Sequence, residues 1–202
     1  MLTIALPKGR IAEETLDKFE KAFGEKFIFE DRKLILEKAG FRFLNVRNQD
    51  VPTYVMHGAA DLGVVGLDVL EEKEYDLIKL LDLKLGRCKV AFGLRKGEEL
   101  NFNKSKITIA TKHEVIAKKF FEQKAMAVEI IKLYGSIELA PLVGLCDCIV
   151  DIVETGETMK QNGLEIGPTI MESSAHLIAN KNSFYAKKDL ILDLKERIEA
   201  HI

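Results

Sequence analysis

No stretch of this sequence approaches the ~20 consecutive apolar residues that a membrane-spanning helix needs. The first residues, Met1 to Lys8, carry neither the basic start nor the long apolar stretch of a secretion signal. The N-terminus therefore reads as the mature start of a cytoplasmic protein. A surplus of positive charge is also missing. Thirty basic residues face 32 acidic ones, for a formal net charge of -2. That balance speaks against a general nucleic-acid binder, so any phosphate-binding cations must be local. Cysteine is scarce: Cys88 stands alone, and Cys146 and Cys148 flank Asp147. No second pair completes a zinc site, and the three read as small buried residues in a reducing compartment. The four histidines show no His-x-x-x-His spacing. There is no internal repeat and no low-complexity tract.

What is present is an alternation of strand-like and helix-like segments. A length of 202 residues suits one large domain or two small ones, and a hydrophobic fraction of 47% can build a core. Leu2 to Leu6 reads as a strand ended by Pro7 and Gly9, and Ile11 to Phe23 has apolar residues at helical spacing. Phe41–Val46, Asp61–Gly66, Asp76–Leu83 and Lys89–Leu94 read as strands, with a helix capped by Asp50 and tolerating Pro52 in its first turn. Arg95 to Lys106, polar and containing Gly97, is the best candidate hinge. Beyond it, strands at 107–110, 128–133, 148–153, 164–170 and 175–179 alternate with helices at 114–123, 138–145 and 156–162. An amphipathic helix at 187–202 ends the chain.

Alternation of this kind predicts an α/β fold with mixed, mostly parallel sheet flanked by helices. The central hinge predicts two lobes: residues 1–94 with a returning segment 174–202, and residues 95–173. Ligands in such folds bind beyond the carboxyl ends of strands.

The segment richest in chemistry is Asp147 to Thr158, an apolar strand running into Thr155-Gly156-Glu157-Thr158 and then a helix. A helix N-terminus offers unpaired N–H groups and a positive dipole end. Gly156 allows close backbone approach, and the Thr155 and Thr158 hydroxyls can donate to an anion. Asp151 and Glu154 stand where carboxylates could accept from two ribose hydroxyls. The competing reading is a plain helix N-terminus capped by Thr155. Elsewhere, Lys8 and Arg10 follow the first strand, and Arg32 sits in a polar stretch. Each could equally be a solvated surface charge. Asp68 could cap a following helix. The histidines suggest no catalyst, and Glu138 and Glu172 have no assigned role.

The strand–turn–helix segment resembles the PRPP-binding loop of the ATP phosphoribosyltransferases, PRPP being phosphoribosyl pyrophosphate. So do Leu6-Pro7-Lys8-Gly9-Arg10, Arg47 to Val55, Gly58 to Asp68 and Leu133 to Leu145, all in register along the chain. The resemblance implies two lobes similar to type II periplasmic binding proteins, with the active site in the cleft between them. It implies a reaction in which N1 of ATP displaces pyrophosphate from the anomeric carbon of PRPP, the first step of histidine biosynthesis. PRPP would sit on Asp151, Glu154, Thr155, Gly156, Glu157 and Thr158, and ATP near Gly66, Leu67 and Asp68. Lys8, Arg10 and Arg32 would meet the charge growing on the leaving group. Mg²⁺ would accompany the pyrophosphate, with no protein residue assigned as a metal ligand. The length matches the short form, which implies a separate regulatory subunit similar to histidyl-tRNA synthetase and a dimer or hetero-oligomer. The alternative is a non-catalytic nucleotide or small-anion binding protein of the same fold.

Overall fold

The computed structural model describes residues 1–202, in eleven strands and eight α-helices. The chain forms two compact units: residues 1–86 with 174–202, and residues 87–173.

The first unit is built on a six-stranded sheet. Its strands are β1 (Leu2–Pro7), β2 (Ile35–Lys38), β3 (Phe41–Val46), β4 (Leu62–Gly66), β5 (Ile78–Asp82) and β11 (Ala175–Ala179), in the order β2-β3-β1-β4-β11-β5. Helices α1 (Arg10–Phe23), α2 (Val51–Met56), α3 (Leu67–Lys73), α7 (Lys181–Ala186) and α8 (Lys188–Glu199) complete it. Helix α1 buries Ala12, Leu16 and Phe19 at the spacing the sequence shows, and Phe19 meets Phe41 and Phe43 edge-on. It ends at Gly24, whose left-handed φ of 69° accommodates the cap. Helix α2 packs against β4 at Gly63. A Cβ there would stand 2.7 Å from Val55 and 2.8 Å from Val51, so only glycine permits the approach.

The second unit has five strands: β6 (Cys88–Arg95), β7 (Ile107–Thr111), β8 (Val128–Lys132), β9 (Cys148–Val153) and β10 (Leu164–Ser173), in the order β10-β6-β9-β7-β8. Helices α4 (Glu114–Gln123), α5 (Leu139–Leu142) and α6 (Glu157–Gln161) accompany them. Its core lies on both faces. Phe92, Ile109, Phe121 and Val150 are buried in one cluster, and Ala91, Ala110, Ile149 and Met159 in another.

Both sheets are mixed. Four pairings are parallel and five antiparallel, so the expected mixed character is present, with a larger antiparallel share than expected. The antiparallel pairs come from β2 and from the strands flanking the two crossings between units. The expected boundary at residue 94 also moves. Strand β6 pairs with β9 and β10, not with the first sheet. Past Arg95, the last residue of β6, the polar stretch 96–106 is a loop inside the second unit, tied down by a 2.6 Å contact between Lys104 and Asp147. The crossings fall at residues 86/87 and 173/174. No helix is long and apolar enough to cross a membrane.

Candidate active site

In the first unit, β1, β3 and β4 run parallel, so their carboxyl ends share one sheet edge. Pro7 lies opposite Val46, and the Lys8 amide donates to the Val46 carbonyl at 2.8 Å. Lys8, Gly9 and Arg10 therefore leave the edge beside Arg47. Strand β2 runs antiparallel to β3, and the Asn45 amide donates to the Leu34 carbonyl at 2.8 Å. That pairing brings the turn holding Arg32 to the same edge. Four cationic side chains, Lys8, Arg10, Arg32 and Arg47, thus come from three separate loops, and all four residues are exposed. Arg10 Nη1 lies 3.9 Å from Glu14 Oε1, one turn further along α1. Arg32 holds φ at 59°, the left-handed region that costs a non-glycine residue about 1 kcal/mol. Sequence reasoning gives Arg47 no role. The signal available was its place directly after a strand parallel to β1.

Strand β4 delivers Gly66, Leu67 and Asp68 to this edge too. Gly66, not Asp68, occupies the cap position of α3. Asp68 lies in the first turn and is buried, and Gly66 is buried as well. Leu67 is partly exposed, so this turn presents an apolar side chain rather than a carboxylate. The Leu67 amide donates to the Ser174 carbonyl at 3.0 Å, which ties the turn to the start of β11.

In the second unit, β7, β8 and β9 run parallel and again share a carboxyl edge. Strand β9 ends at Val153, and Glu154 to Thr158 turn directly into α6. Glu154, Thr155, Glu157 and Thr158 are exposed. The cap position of α6 is Gly156, at φ 82°, with no side chain closing the first turn. Thr155 is not the cap; its hydroxyl receives only a long 3.4 Å bond from the Glu157 amide. A Cβ at Gly156 would also crowd Ile166 Cδ1, the movable end of an exposed side chain. Asp151, on β9 just before the loop, has a side chain 13% exposed, with Lys112 Nζ 3.0 Å from its Oδ1. Lys112 and His113 follow β7 at the same edge and were not foreseen as part of the site.

Arg10, Lys8, Arg32 and Gly66–Asp68 are thus gathered at one edge, and Asp151 to Thr158 at another. The cysteines join neither group. Cys146 and Cys148 are buried, and desolvation pushes the Cys148 thiol up to about 12. A thiol held that high is no nucleophile at neutral pH.

The family model described as HisG: ATP phosphoribosyltransferase matches residues 47–200. The ATP phosphoribosyltransferase of Wolinella succinogenes is 69% identical over 197 residues, covering 98% of this chain and 96% of its own length. The chain belongs to the ATP phosphoribosyltransferase family. Among solved structures, the ATP phosphoribosyl transferase (HisG:HisZ) complex from Thermotoga maritima gives a TM-score of 0.84 at 36% identity, covering 99% of this chain and 98% of that one. The periplasmic aliphatic sulphonate binding protein SsuA of Escherichia coli gives a TM-score of 0.62 at 12% identity, over 98% of this chain and 70% of that one. That likeness is one of fold alone. It agrees with the two-unit α/β architecture expected from the sequence.

Proposed function

We propose that this chain is the catalytic subunit of an ATP phosphoribosyltransferase, a glycosyltransferase that opens histidine biosynthesis. N1 of the adenine ring attacks the anomeric carbon of PRPP. The bond from that carbon to the pyrophosphate oxygen breaks, and pyrophosphate leaves with the electron pair. The observation that carries the reading is the pair of loaded strand edges: four exposed cations on one unit, and an acid-flanked Thr-Gly-Glu-Thr turn on the other. A binding protein of the same fold has no need of both.

The roles follow from charge. Asp151 and Glu154 accept hydrogen bonds from the ribose hydroxyls of PRPP. Thr155, Gly156, Glu157 and Thr158 hold its 5′-phosphate with backbone amides and hydroxyls. Lys8, Arg10 and Arg32 stabilise the leaving group, whose negative charge grows in the transition state. Gly66, Leu67 and Asp68 border the nucleotide, with Leu67 supplying apolar contact. Adenine N1 carries a free lone pair, so the attack needs no histidine base.

Mg²⁺ belongs to this reading as a companion of the substrate. No group of three or more His, Cys, Asp and Glu side chains converges in the chain to hold a metal. Mg²⁺ is commonly bound through substrate phosphates with few protein ligands, which fits this donor set. Bound there, it neutralises pyrophosphate charge. The reaction is placed in the cytoplasm, where ATP and PRPP are made.

The Thermotoga maritima relative was solved as a HisG:HisZ complex, and its chain matches this one end to end. We extend that assembly here: a regulatory subunit similar to histidyl-tRNA synthetase binds this chain and confers histidine inhibition. The test is PRPP-dependent growth of product absorbance from ATP, with and without that subunit. No product under either condition refutes the enzyme. Strong histidine inhibition of the isolated chain, not competitive with either substrate, refutes the two-protein arrangement.

A further inference from the structure

All contacts to the Asp151 carboxylate meet at one oxygen. Oδ1 accepts the Ile152 amide at 2.8 Å, lies 3.0 Å from Lys112 Nζ, and stands 3.8 Å from His113 Nε2. The last distance is an electrostatic approach rather than a hydrogen bond. Oδ2 takes part in none of these contacts.

The groups that converge on Oδ1 are mounted on a rigid frame. Thr111, fully buried at the end of β7, donates its hydroxyl to the Val150 carbonyl at 2.6 Å. The same hydroxyl oxygen accepts the His113 amide at 2.8 Å. His113 is 2% exposed, and its carbonyl accepts the first-turn amide of Ala117 in α4 at 3.1 Å. The end of β7, the start of α4 and the outgoing end of β9 are therefore stitched together immediately around Asp151. An aspartate on a strand end would otherwise sample several rotamers, each a cost to binding when one is selected.

We infer that Lys112 and His113 are positioning residues: they hold Asp151 through Oδ1 so that Oδ2 is presented to a vicinal diol of the ribose class. This rests on the reading of Asp151 as a sugar ligand. Lys112 acts through geometry more than through net charge, since its side chain is 41% exposed and water screens it.

The experiment measures KM for PRPP and for ATP on the full chain assembled with its regulatory subunit. Lys112→Met and, separately, His113→Gln should each raise KM for PRPP about 10-fold, while KM for ATP stays within about 2-fold. Lys112→Arg, which keeps a donor in reach, should restore most of the loss. A merely structural role would move both constants or neither. In an Asp151→Asn background, Lys112→Met should add nothing further. His113 is buried and its variant can fail to fold, but Lys112 is partly exposed and decides the matter alone. If Asp151→Asn leaves KM for PRPP unchanged, the sugar-ligand reading falls. If Asp151→Asn raises it but Lys112→Met has no effect, or an effect additive with Asp151→Asn, the positioning inference alone is overturned.

Discussion

Asp61 immediately precedes a strand and Asp151 lies on one, both strands running parallel to a neighbour, yet the fold treats the two aspartates in opposite ways. Asp61 precedes β4 at the amino edge of its sheet. Its two oxygens each lie 2.8 Å from Lys187 Nζ, and Oδ2 also accepts the Thr3 amide at 2.9 Å. Partners 58 and 126 residues away close it completely, and the residue is 7% exposed. Asp151 stands at the carboxyl edge of its sheet with one oxygen engaged and one spare. The cations follow the same division. Lys187 is committed to Asp61 at the amino edge, while Lys8, Arg32 and Arg47 at the carboxyl edge enter no ion pair. Charge that is closed on itself stabilises the fold, and charge left open is available to a substrate. The carboxyl ends of strands are where α/β folds generally leave it open.

The sharpest way to break this contrast is to remove a charge from each class. Arg10→Ala should cut turnover roughly 100-fold to 1000-fold, the usual cost of losing one preorganised contact to developing charge. ATP affinity should change far less, because the charge it meets grows only in the transition state. Thermal stability should hold, since the Arg10 side chain is 58% exposed. Wild-type turnover in this variant removes Arg10 from the mechanism.

Asp61→Asn should do the reverse. The lost charge weakens the Lys187 pair and the bond from Thr3, for a destabilisation of about 2–3 kcal/mol. Urea denaturation should show a lower midpoint with an unchanged slope, and KM for PRPP should not move. The pH dependence carries a sign. Burial pushes the Asp61 carboxyl up, but bonds from Lys187, Thr3 and Ser183 outweigh it and hold the pKa below the ordinary 3.8. A carboxyl depressed by folding stabilises fully above its unfolded pKa, and that contribution is lost as pH falls through the lower folded value. Wild-type stability should therefore drop more steeply below about pH 4 than that of Asp61→Asn. Parallel curves would remove Asp61 as a source of acid sensitivity.

How much of this was legible beforehand follows from the range of each interaction. Strands at 41–46, 148–153 and 175–179 and the helix at 114–123 appear with the expected bounds, because each is an apolar run or period bounded by polar residues. Strand β2 was not foreseen. It is an exposed edge strand with β3 as its single partner, so burial writes no alternation into Ile35-Leu36-Glu37-Lys38. Strand β10 runs through Pro168 to Ser173, beyond the expected end at 170. It is an edge strand with register shifts near the proline, where a missing donor is tolerated. The unit boundary was misplaced because a polar loop and a hinge have the same composition, while the true crossings are short breaks between strands, at Gly86/Arg87 and Ser173/Ser174. Site residues could be named along the chain, but not their company. Lys112 and His113 reach Asp151 only through the register of β7 against β9, in which Thr111 lies opposite Val150. Asp50 shows the local limit: a short 3₁₀ turn over Asn48–Asp50 precedes α2, so the aspartate sits at the cap position without a capping bond.

A smaller effect separates the two demands on Gly156. Gly156→Ala should cost about 1–2 kcal/mol of stability, from its positive φ and the contact with Ile166. Adding Ile166→Val should recover the steric part and leave the backbone part. Any loss of PRPP binding in Gly156→Ala is therefore mixed with a fold defect. Thr158→Val, at an exposed position, reports on the phosphate site without that defect, and should weaken PRPP with a melting temperature near wild type. Unchanged PRPP affinity in Thr158→Val would take that hydroxyl out of the site.

The smallest effect tests the contrast most directly, because one substitution should push stability and activity in opposite directions. Arg32 is exposed and holds φ at 59°, a conformation that glycine adopts without penalty. No ion pair or hydrogen bond of its side chain offsets that strain. Glycine also loses more entropy on folding, which cancels part of the relief. Arg32→Gly should thus gain about 0.5–1 kcal/mol, read as a rise in melting temperature. Under the proposed chemistry it should also lose turnover on the scale of Arg10→Ala, since the cation at the carboxyl edge is gone. Arg32→Lys separates the two parts: it keeps the strain and a positive charge, and should sit between wild type and glycine in activity with no gain in stability. A strained residue with an open charge is expected where binding function has been favoured over local stability. If Arg32→Gly is both more stable and fully active, Arg32 is an ordinary turn residue, and the open edge has one cation fewer than proposed.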